Sequence, residues 1–371
     1  MGRAAGGMRL MSGMHEPIRV GVVGFGLAGR VFHTAVIEAT PGLELACVVQ
    51  RSGEDAAREY PHVRQARSVE EMLGDVGIEL VVIATPNYSH FELARQCLHE
   101  QRNVVIDKPF TLTSAEAAEL IHLARRRKRL LTAYQNRRWD GDFQTVRQVL
   151  GSGELGRLVS YESHFDRFRA QPRLDAWRED GGPGGGTLFD LGPHLIDQML
   201  TLFGKPETIV SSVRIEREDA AVDDAWDILL EYEEPQPMSA LLRATLTACE
   251  PGPRYVLHGT QGSFVKWGLD PQEGQLKAGM HFGDAGFGEE AESGWGTLTL
   301  CGGAKGPVRR KVRTLRGDYR GFYENVRDAL LGKAELAVTP EQAWRTTRLI
   351  ELARESCGHG RRLKVAWEGE P

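Results

Sequence analysis

The strand-like run Ile18-Arg19-Val20-Gly21-Val22-Val23 passes directly into Gly24-Phe25-Gly26-Leu27-Ala28-Gly29, and the next segment, Arg30 to Ala39, has helical spacing. A strand, a G-x-G-x-x-G turn and a helix in that order restrict the chain to a βαβ unit built around a dinucleotide. Gly24 suits the tight turn, Gly26 lets the backbone approach a pyrophosphate, and Gly29 lets the helix pack closely on the strand. The helix N-terminus then offers its N–H groups to the phosphates. By itself the spacing also describes an ordinary Gly-rich turn, so its position matters. Further short β-branched runs follow at Leu43 to Val49, Leu80 to Thr85, Asn103 to Asp107 and Leu130 to Tyr134, with helices between them at Phe91 to Glu100 and Ser114 to Arg127. That alternation is the pattern of a parallel sheet covered by helices on both faces.

After Asn136 the rhythm changes to longer alternating segments at Val159 to Phe168, Ile209 to Glu216, Ala225 to Tyr232, Ser239 to Thr247 and Arg254 to His258. These predict one mostly antiparallel sheet. Helices are expected near Pro193 to Leu202, Gly321 to Leu331 and Pro340 to Glu355, the last opened by the cap Thr339 and by Pro340 at its first position. Asp270 to about Arg316 is rich in Gly and charge and reads as long loops around irregular strands. A chain of 371 residues is long enough for two cores. The expected fold is therefore α/β plus α+β: an N-terminal Rossmann doubly wound parallel sheet over 18–136, then a C-terminal open mixed, mostly antiparallel sheet domain over 137–371. Residues 1–17, with four methionines in the first 14, are expected to be a disordered leader outside the fold.

The second strand ends at Gln50-Arg51-Ser52, where an NAD site would place an acidic residue against the ribose 2′-hydroxyl. Arg51 and Ser52 suit a 2′-phosphate, which favours NADP over NAD. The alternative has Arg51 in water, with Glu54 or Asp55 reaching the ribose. Lys108 closes a parallel strand at its carboxyl end, where ligands bind, and can hold a substrate oxygen by its charge; a surface lysine before a proline turn is the plain alternative. The glycine tract Gly181 to Gly186 precedes Asp190-Leu191-Gly192-Pro193-His194. Glycines let backbone come close to a ligand, and the four-residue spacing puts Asp190 and His194 on one side of a helix. Asp190 is expected to accept from one imidazole nitrogen and leave the other to move an alcohol proton. A capping Asp beside a structural His fits the same spacing.

Together these motifs resemble the glucose-fructose oxidoreductase and inositol dehydrogenase (Gfo/Idh/MocA) family over nearly the whole chain from Ile18. Asp107-Lys108-Pro109 stands where the family has Glu-Lys-Pro, and Asp190 and His194 match its D-x-x-x-H pattern. The resemblance implies catalytic roles for Lys108, Asp190 and His194. It also implies a cofactor site of Gly24, Phe25, Gly26, Leu27, Gly29, Arg51, Ser52, Thr85, Pro86, Asn87, His90, Asp107, Lys108 and Pro109. Three stretches are similar to the branch with NADP-linked scyllo-inositol dehydrogenases: Asn136 to Asp140, Ser163 to Phe168, and His258 to Ser263 through Gly268 to Pro271. By that likeness His164, Trp177 and one of Tyr319, Phe322 or Tyr323, with Tyr323 preferred, line a polyol pocket beside Lys108, Asp190 and His194; Arg167 and Arg169 are further candidates.

The net charge of −5, with 46 basic and 51 acidic residues spread along the chain, disfavours a nucleic-acid or anionic-membrane binder. The basic run Arg125 to Arg129 falls at a helix C-terminus, where cations suit the dipole. Five separated cysteines predict neither a disulfide framework nor a zinc site, and a reducing cytoplasm is the expected setting. His62, His99, His122 and His281 lack partners at metal-ligand spacing, so no metal is expected. The sequence-based expectation is a cytoplasmic NADP-dependent (NAD possible) enzyme interconverting alcohol and ketone on a cyclic polyol or sugar. The exposed sheet face is expected to pair in a homodimer or homotetramer. A non-catalytic cofactor-binding sensor, or an enzyme that is NAD-linked or holds its cofactor tightly, is the alternative.

Overall fold

In a computed structural model of the chain, residues 16–173, 176–303 and 306–371 are described; the leader expected over 1–17 lies outside them except for its last two residues. Six strands form the first sheet: β1 (Ile18–Val23), β2 (Leu43–Val49), β3 (Arg64–Ala66), β4 (Leu80–Ile83), β5 (Asn103–Ile106) and β6 (Leu131–Ala133). Their order is β3-β2-β1-β4-β5-β6, and every neighbouring pair is parallel. The strand order reverses between β1 and β4, which opens a crevice at their carboxyl ends. Central strands buried on both faces explain the continuous apolar runs; all of Leu80 to Ile83 is fully buried. In this sheet only β3 falls outside the expected strands. It has three residues, one of them the exposed Arg64, too short and polar to give a periodic signal.

The second sheet has nine strands: β7 (Leu158–Asp166), β8 (Thr208–Arg214), β9 (Ala225–Tyr232), β10 (Met238–Thr245), β11 (Tyr255–Gly259), β12 (Gly262–Lys266), β13 (Gly296–Leu300), β14 (Val308–Val312) and β15 (Leu363–Lys364). Its order is β14-β13-β12-β11-β7-β10-β9-β8-β15. The β7–β10 pair is parallel and the other pairs are antiparallel, so the sheet is mixed as expected. β13, β14 and the helix Gln272–Lys277 lie within the glycine-rich, charged region. In this second sheet β12 and β15 fall outside the expected strands as well.

Helix Thr187–Phe203 covers one face of this sheet and begins six residues before Pro193. Its first turn is held from a distance: Thr187 N donates to Asp223 O (2.8 Å) and Leu188 N to Asp223 Oδ2 (2.7 Å). That external acceptor satisfies N–H groups a helix start leaves open. Apolar packing crosses residue 136. Tyr319, Phe322, Tyr323 and Trp344 join the core of the first sheet, while Tyr161, Phe165, Leu195, Met199 and Trp226 belong to a second core. Among the described residues no helix is long and apolar enough to cross a membrane.

Candidate active site

The turn after β1 has the geometry its glycines require. Gly24 has φ +100°, which side chains rarely tolerate, and a Cβ at Gly29 would sit 1.9 Å from Gly24 O. A Cβ at Gly26 would meet no heavy atom within 4 Å, so the backbone there faces open space. The following helix is π-wound over Ala28–Thr34 and continues as Ala35–Glu38; Leu27 and Ala28 line the adjoining cavity. An open Gly26 beside a helix start fits a dinucleotide pyrophosphate. Phe25 packs edge-on against Tyr60, with ring centroids 6.0 Å apart.

Arg51 and Ser52 are exposed beyond the end of β2. The backbone carrying them is clamped by Arg67, whose Nη1 donates to Gln50 O (3.1 Å) and Gly53 O (2.6 Å). Asp55 accepts from Gln50 Nε2 (3.3 Å) and from Arg58 (3.4 Å), and Glu54 lies 4.0 Å from Arg67 Nη2. Arg67 follows β3, the strand without a sequence signal.

Across the crevice, the loops after β4 and β5 are tied together by the buried His90 ring, whose Nδ1 lies 2.8 Å from Pro109 O and whose Nε2 lies 2.9 Å from Thr85 O. Thr85 Oγ1 bonds Ser89 Oγ (2.7 Å), and Pro86 O accepts from Ser89 Oγ (2.7 Å). Asn87 Nδ2 donates to Gly184 O (2.8 Å), while its buried Oδ1 has no partner. Gly184 has φ +75° and no room for a side chain: a Cβ would lie 2.5 Å from Asn87 Oδ1. The glycine tract thus brings the second half of the chain against the first.

Lys108 Nζ reaches the start of helix Thr187–Phe203, donating to Asp190 O (2.6 Å) and to Asp190 Oδ1 (2.9 Å). Arg178 Nε stands 3.4 Å from the same Oδ1. Burial raises the Asp190 carboxyl pKa, but the Lys108 and Arg178 charges outweigh it and hold the group well below the usual carboxylate range. Asp107 is buried beneath Lys108; its Oδ1 accepts from Lys108 N (2.9 Å) and lies 3.6 Å from His33 Nε2. Burial raises the Asp107 pKa too, yet the neighbouring His33 ring and the Lys108 charge leave it lowered.

His194 is buried one turn after Asp190 and lines the same cavity. The expected Asp190–imidazole bond is absent: the carboxylate is spent on Lys108 and Arg178, and His194 Nδ1 is buried without a partner. A buried carboxylate draws a cation from another strand in preference to a neutral imidazole on its own helix. Burial first, then the charges of Lys108, Arg137, Arg254 and Arg167, push the His194 pKa well below its ordinary value. The helix is anchored behind the imidazole: Arg138 makes two bonds to Asp197 (2.7 and 2.6 Å), and Gln198 Oε1 accepts from Arg254 Nη2 and Tyr255 OH (both 2.9 Å).

The cavity joining these groups encloses about 240 Å³ and includes Asp107, Lys108, Arg167, Arg169, Asp190 and His194 in its wall. Trp177 stands at its edge beside Thr85 and Asn87, with Arg178 stacked over its ring at 4.5 Å. Two expected substrate residues lie elsewhere. His164 alternates with Phe165 along β7 and points to the opposite sheet face, among Glu162 and Asp166. Tyr323 is fully buried in the first core, its OH 2.6 Å from His33 Nδ1, and Tyr319 and Phe322 are buried with it. Their helix, Arg320–Leu330, buries its aromatic stripe against the first sheet instead of turning it to the cavity. Residues not singled out from sequence also line the cavity: Arg178, Glu179, Glu273 and Lys277. The four arginines within residues 167–178 were the available signal for that wall.

Comparison with known proteins agrees with this architecture. Residues 18–135 match the profile described as oxidoreductase family, NAD-binding Rossmann fold, and residues 147–365 match its partner, oxidoreductase family, C-terminal alpha/beta domain. The chain is 40% identical to the oxidoreductase YdgJ of Escherichia coli over 353 residues, covering 95% of this chain and 100% of that protein. It is 34% identical to IolW of Bacillus subtilis, named scyllo-inositol 2-dehydrogenase (NADP(+)), over 94% of this chain and 96% of that one. The solved structure of the oxidoreductase YvaA from Bacillus subtilis superposes with a TM-score of 0.90 at 33% identity, covering 95% of this chain and 99% of that one. With both halves matched in order and the glycine turn, Lys108 and the Asp190–His194 pair in place, the chain belongs to the Gfo/Idh/MocA family of oxidoreductases.

Proposed function

We propose that the protein is an NADP-dependent oxidoreductase that interconverts a secondary alcohol and a ketone on a cyclic polyol or sugar. The observation that carries this reading is the meeting of Lys108, Asp190 and His194 around one cavity that begins at the glycine turn. Bound in the crevice, an oxidised nicotinamide supplies the hydride acceptor. Lys108 has three N–H donors and uses two on Asp190, leaving the third for the reacting oxygen. Asp190 positions that ammonium. As hydride leaves the substrate carbon, the neutral His194 imidazole takes the hydroxyl proton; in the reverse direction it returns the proton to the alkoxide. A positioned base of this kind contributes about 10² to 10⁴ in rate. Trp177 and Asn87 line the adjoining pocket, which shares Lys108 and Asp190 with the cavity.

The preference for NADP is supported by the exposed Arg51 and Ser52 on a loop held by Arg67, with Asp55 turned toward Gln50 and Arg58. The name of the Bacillus subtilis relative carries NADP, and a mouse relative, 29% identical over 254 residues, is named a trans-1,2-dihydrobenzene-1,2-diol dehydrogenase. On the sheet face away from the helix, half-buried Leu229, Leu241 and Val256 lie among charged residues; we read this face as the contact with a second copy of the chain.

The test is a panel of inositols and aldoses, with their acid and phosphate derivatives, assayed for reduction of NADP and NAD. Turnover with NADP is expected, and Arg51→Ala should weaken NADP more than NAD. No reduction of either nucleotide by any member refutes the activity, and equal affinities for both nucleotides in wild type and variant refute the cofactor preference.

A further inference from the structure

The cavity wall holds more positive charge than its carboxylates balance. Seven Lys and Arg residues line it, against four Asp and Glu. Most of the cations are paired: Asp190 takes Lys108 and Arg178, Glu273 takes Arg137 and Lys277, and Glu179 takes Arg169. Glu179 is also shared with Arg217 at 2.9 Å, so its charge is divided.

Arg167 and Arg173 differ from these; Arg173 is exposed to water, whereas Arg167 is half-buried. Among the described residues its guanidinium has no carboxylate partner, and its carbon lies over the Phe165 ring, 4.7 Å from the centroid. The backbone beneath it is pinned, since Arg167 N donates to Thr245 O (2.9 Å) and Arg167 O accepts from Ala248 N (3.1 Å). Strand alternation puts Arg167 on the Phe165 side of the sheet, the side of His194. A guanidinium can only donate, and its flat fork matches two oxygens of one anionic group. Leaving such a charge half-buried and unmatched is costly, and burial, with Arg137 adding to it, already lowers the Arg167 pKa. Arg167 also reduces the basicity of His194, so an anion seated on it would restore the proton affinity of the imidazole.

We propose that the alcohol oxidised here carries an anionic oxygen group, a carboxylate or a phosphate ester, that seats on Arg167. The substrate is then an acidic derivative of a cyclic polyol or sugar. This inference rests on the reading of the cavity as the place where the alcohol reacts.

Calorimetric titration of the full chain, with and without NADPH, using D-glucose, D-glucuronate and D-glucose 6-phosphate tests it. At least one anion should bind about tenfold or more tightly than glucose, as a charge-assisted fork requires. Preference for glucuronate assigns a carboxylate, and preference for the phosphate assigns a phosphate ester. Arg167→Gln should erase the preference, and Arg167→Lys should keep part of it through its charge. Equal affinities for the three sugars, no binding of any, or a preference that survives in Arg167→Gln overturns the proposal. Neutral polyols that reduce NADP as well as their acids would remove the anion site and leave the oxidoreductase reading intact. An anion held through Arg167 without nicotinamide reduction by any panel member would do the reverse.

Discussion

Removing the Lys108–Asp190 pair should expose how the two halves of the chain are coupled at the site. The ammonium and carboxylate are 2.9 Å apart with side chains 14% and 30% exposed, so both are largely withdrawn from water. At an effective dielectric of about 20, unit charges at that separation attract by roughly 6 kcal/mol before desolvation is counted. Desolvation offsets much of this, leaving a net coupling of about 2–4 kcal/mol. Lys108→Met leaves Asp190 with Arg178 alone at 3.4 Å, and Asp190→Asn leaves two cations without their carboxylate. The double variant removes both charges and should cost less than the sum of the single ones. Urea unfolding of the four proteins at pH 7 measures the coupling as the failure of additivity. Its pH dependence is fixed by direction. The Asp190 carboxyl is held below its unfolded value of about 4, so the coupling is complete above that pH and is lost as pH falls further. A coupling below about 0.5 kcal/mol at pH 7 would refute this reading.

Three further outcomes are expected. The rate of alcohol oxidation per KM should stay flat from neutral pH upward and fall on the acid side with a midpoint below the ordinary histidine value of about 6.5, because burial and four nearby cations disfavour imidazolium at His194; a midpoint at or above that value contradicts the assignment. Gly26→Ala should leave thermal stability nearly unchanged but weaken NADP binding, since its Cβ enters open space, whereas Gly29→Ala should unfold at lower temperature because its Cβ meets Gly24 O. Tyr323→Phe should cost about 1–3 kcal/mol in urea unfolding by leaving the buried His33 Nδ1 unpaired, with no change in KM for the alcohol, because the ring does not line the cavity.

The parts of the molecule legible in the sequence were those written in local pattern. The glycine turn, the parallel strands and Lys108 at the end of β5 each follow from period, spacing and position along a single element. What stayed hidden depended on contacts between distant segments. The i, i+4 spacing put Asp190 and His194 on one helix, but it says nothing of Lys108, 82 residues away, which claims the carboxylate. A helix was expected near Pro193 to Leu202, but it starts at Thr187, where Asp223 accepts from the first two backbone N–H groups, a contact no local signal reveals. His164 and Tyr323 were placed at the substrate by likeness alone, and strand parity and helix packing turn both away from it. Arg67 clamps the Arg51 loop from behind β3, a strand too short to read.

For the proposed reaction Lys108 and His194 must meet one substrate oxygen beside the nicotinamide ring. A crystal structure of the protein with NADPH and a substrate found in the panel measures this directly. The expected result places Lys108 Nζ and an imidazole nitrogen of His194 each about 2.6–3.2 Å from the same substrate oxygen, with the nicotinamide against that oxygen's carbon. A nicotinamide bound away from Lys108, or a His194 ring that touches neither the substrate oxygen nor a water bonded to it, would contradict the account.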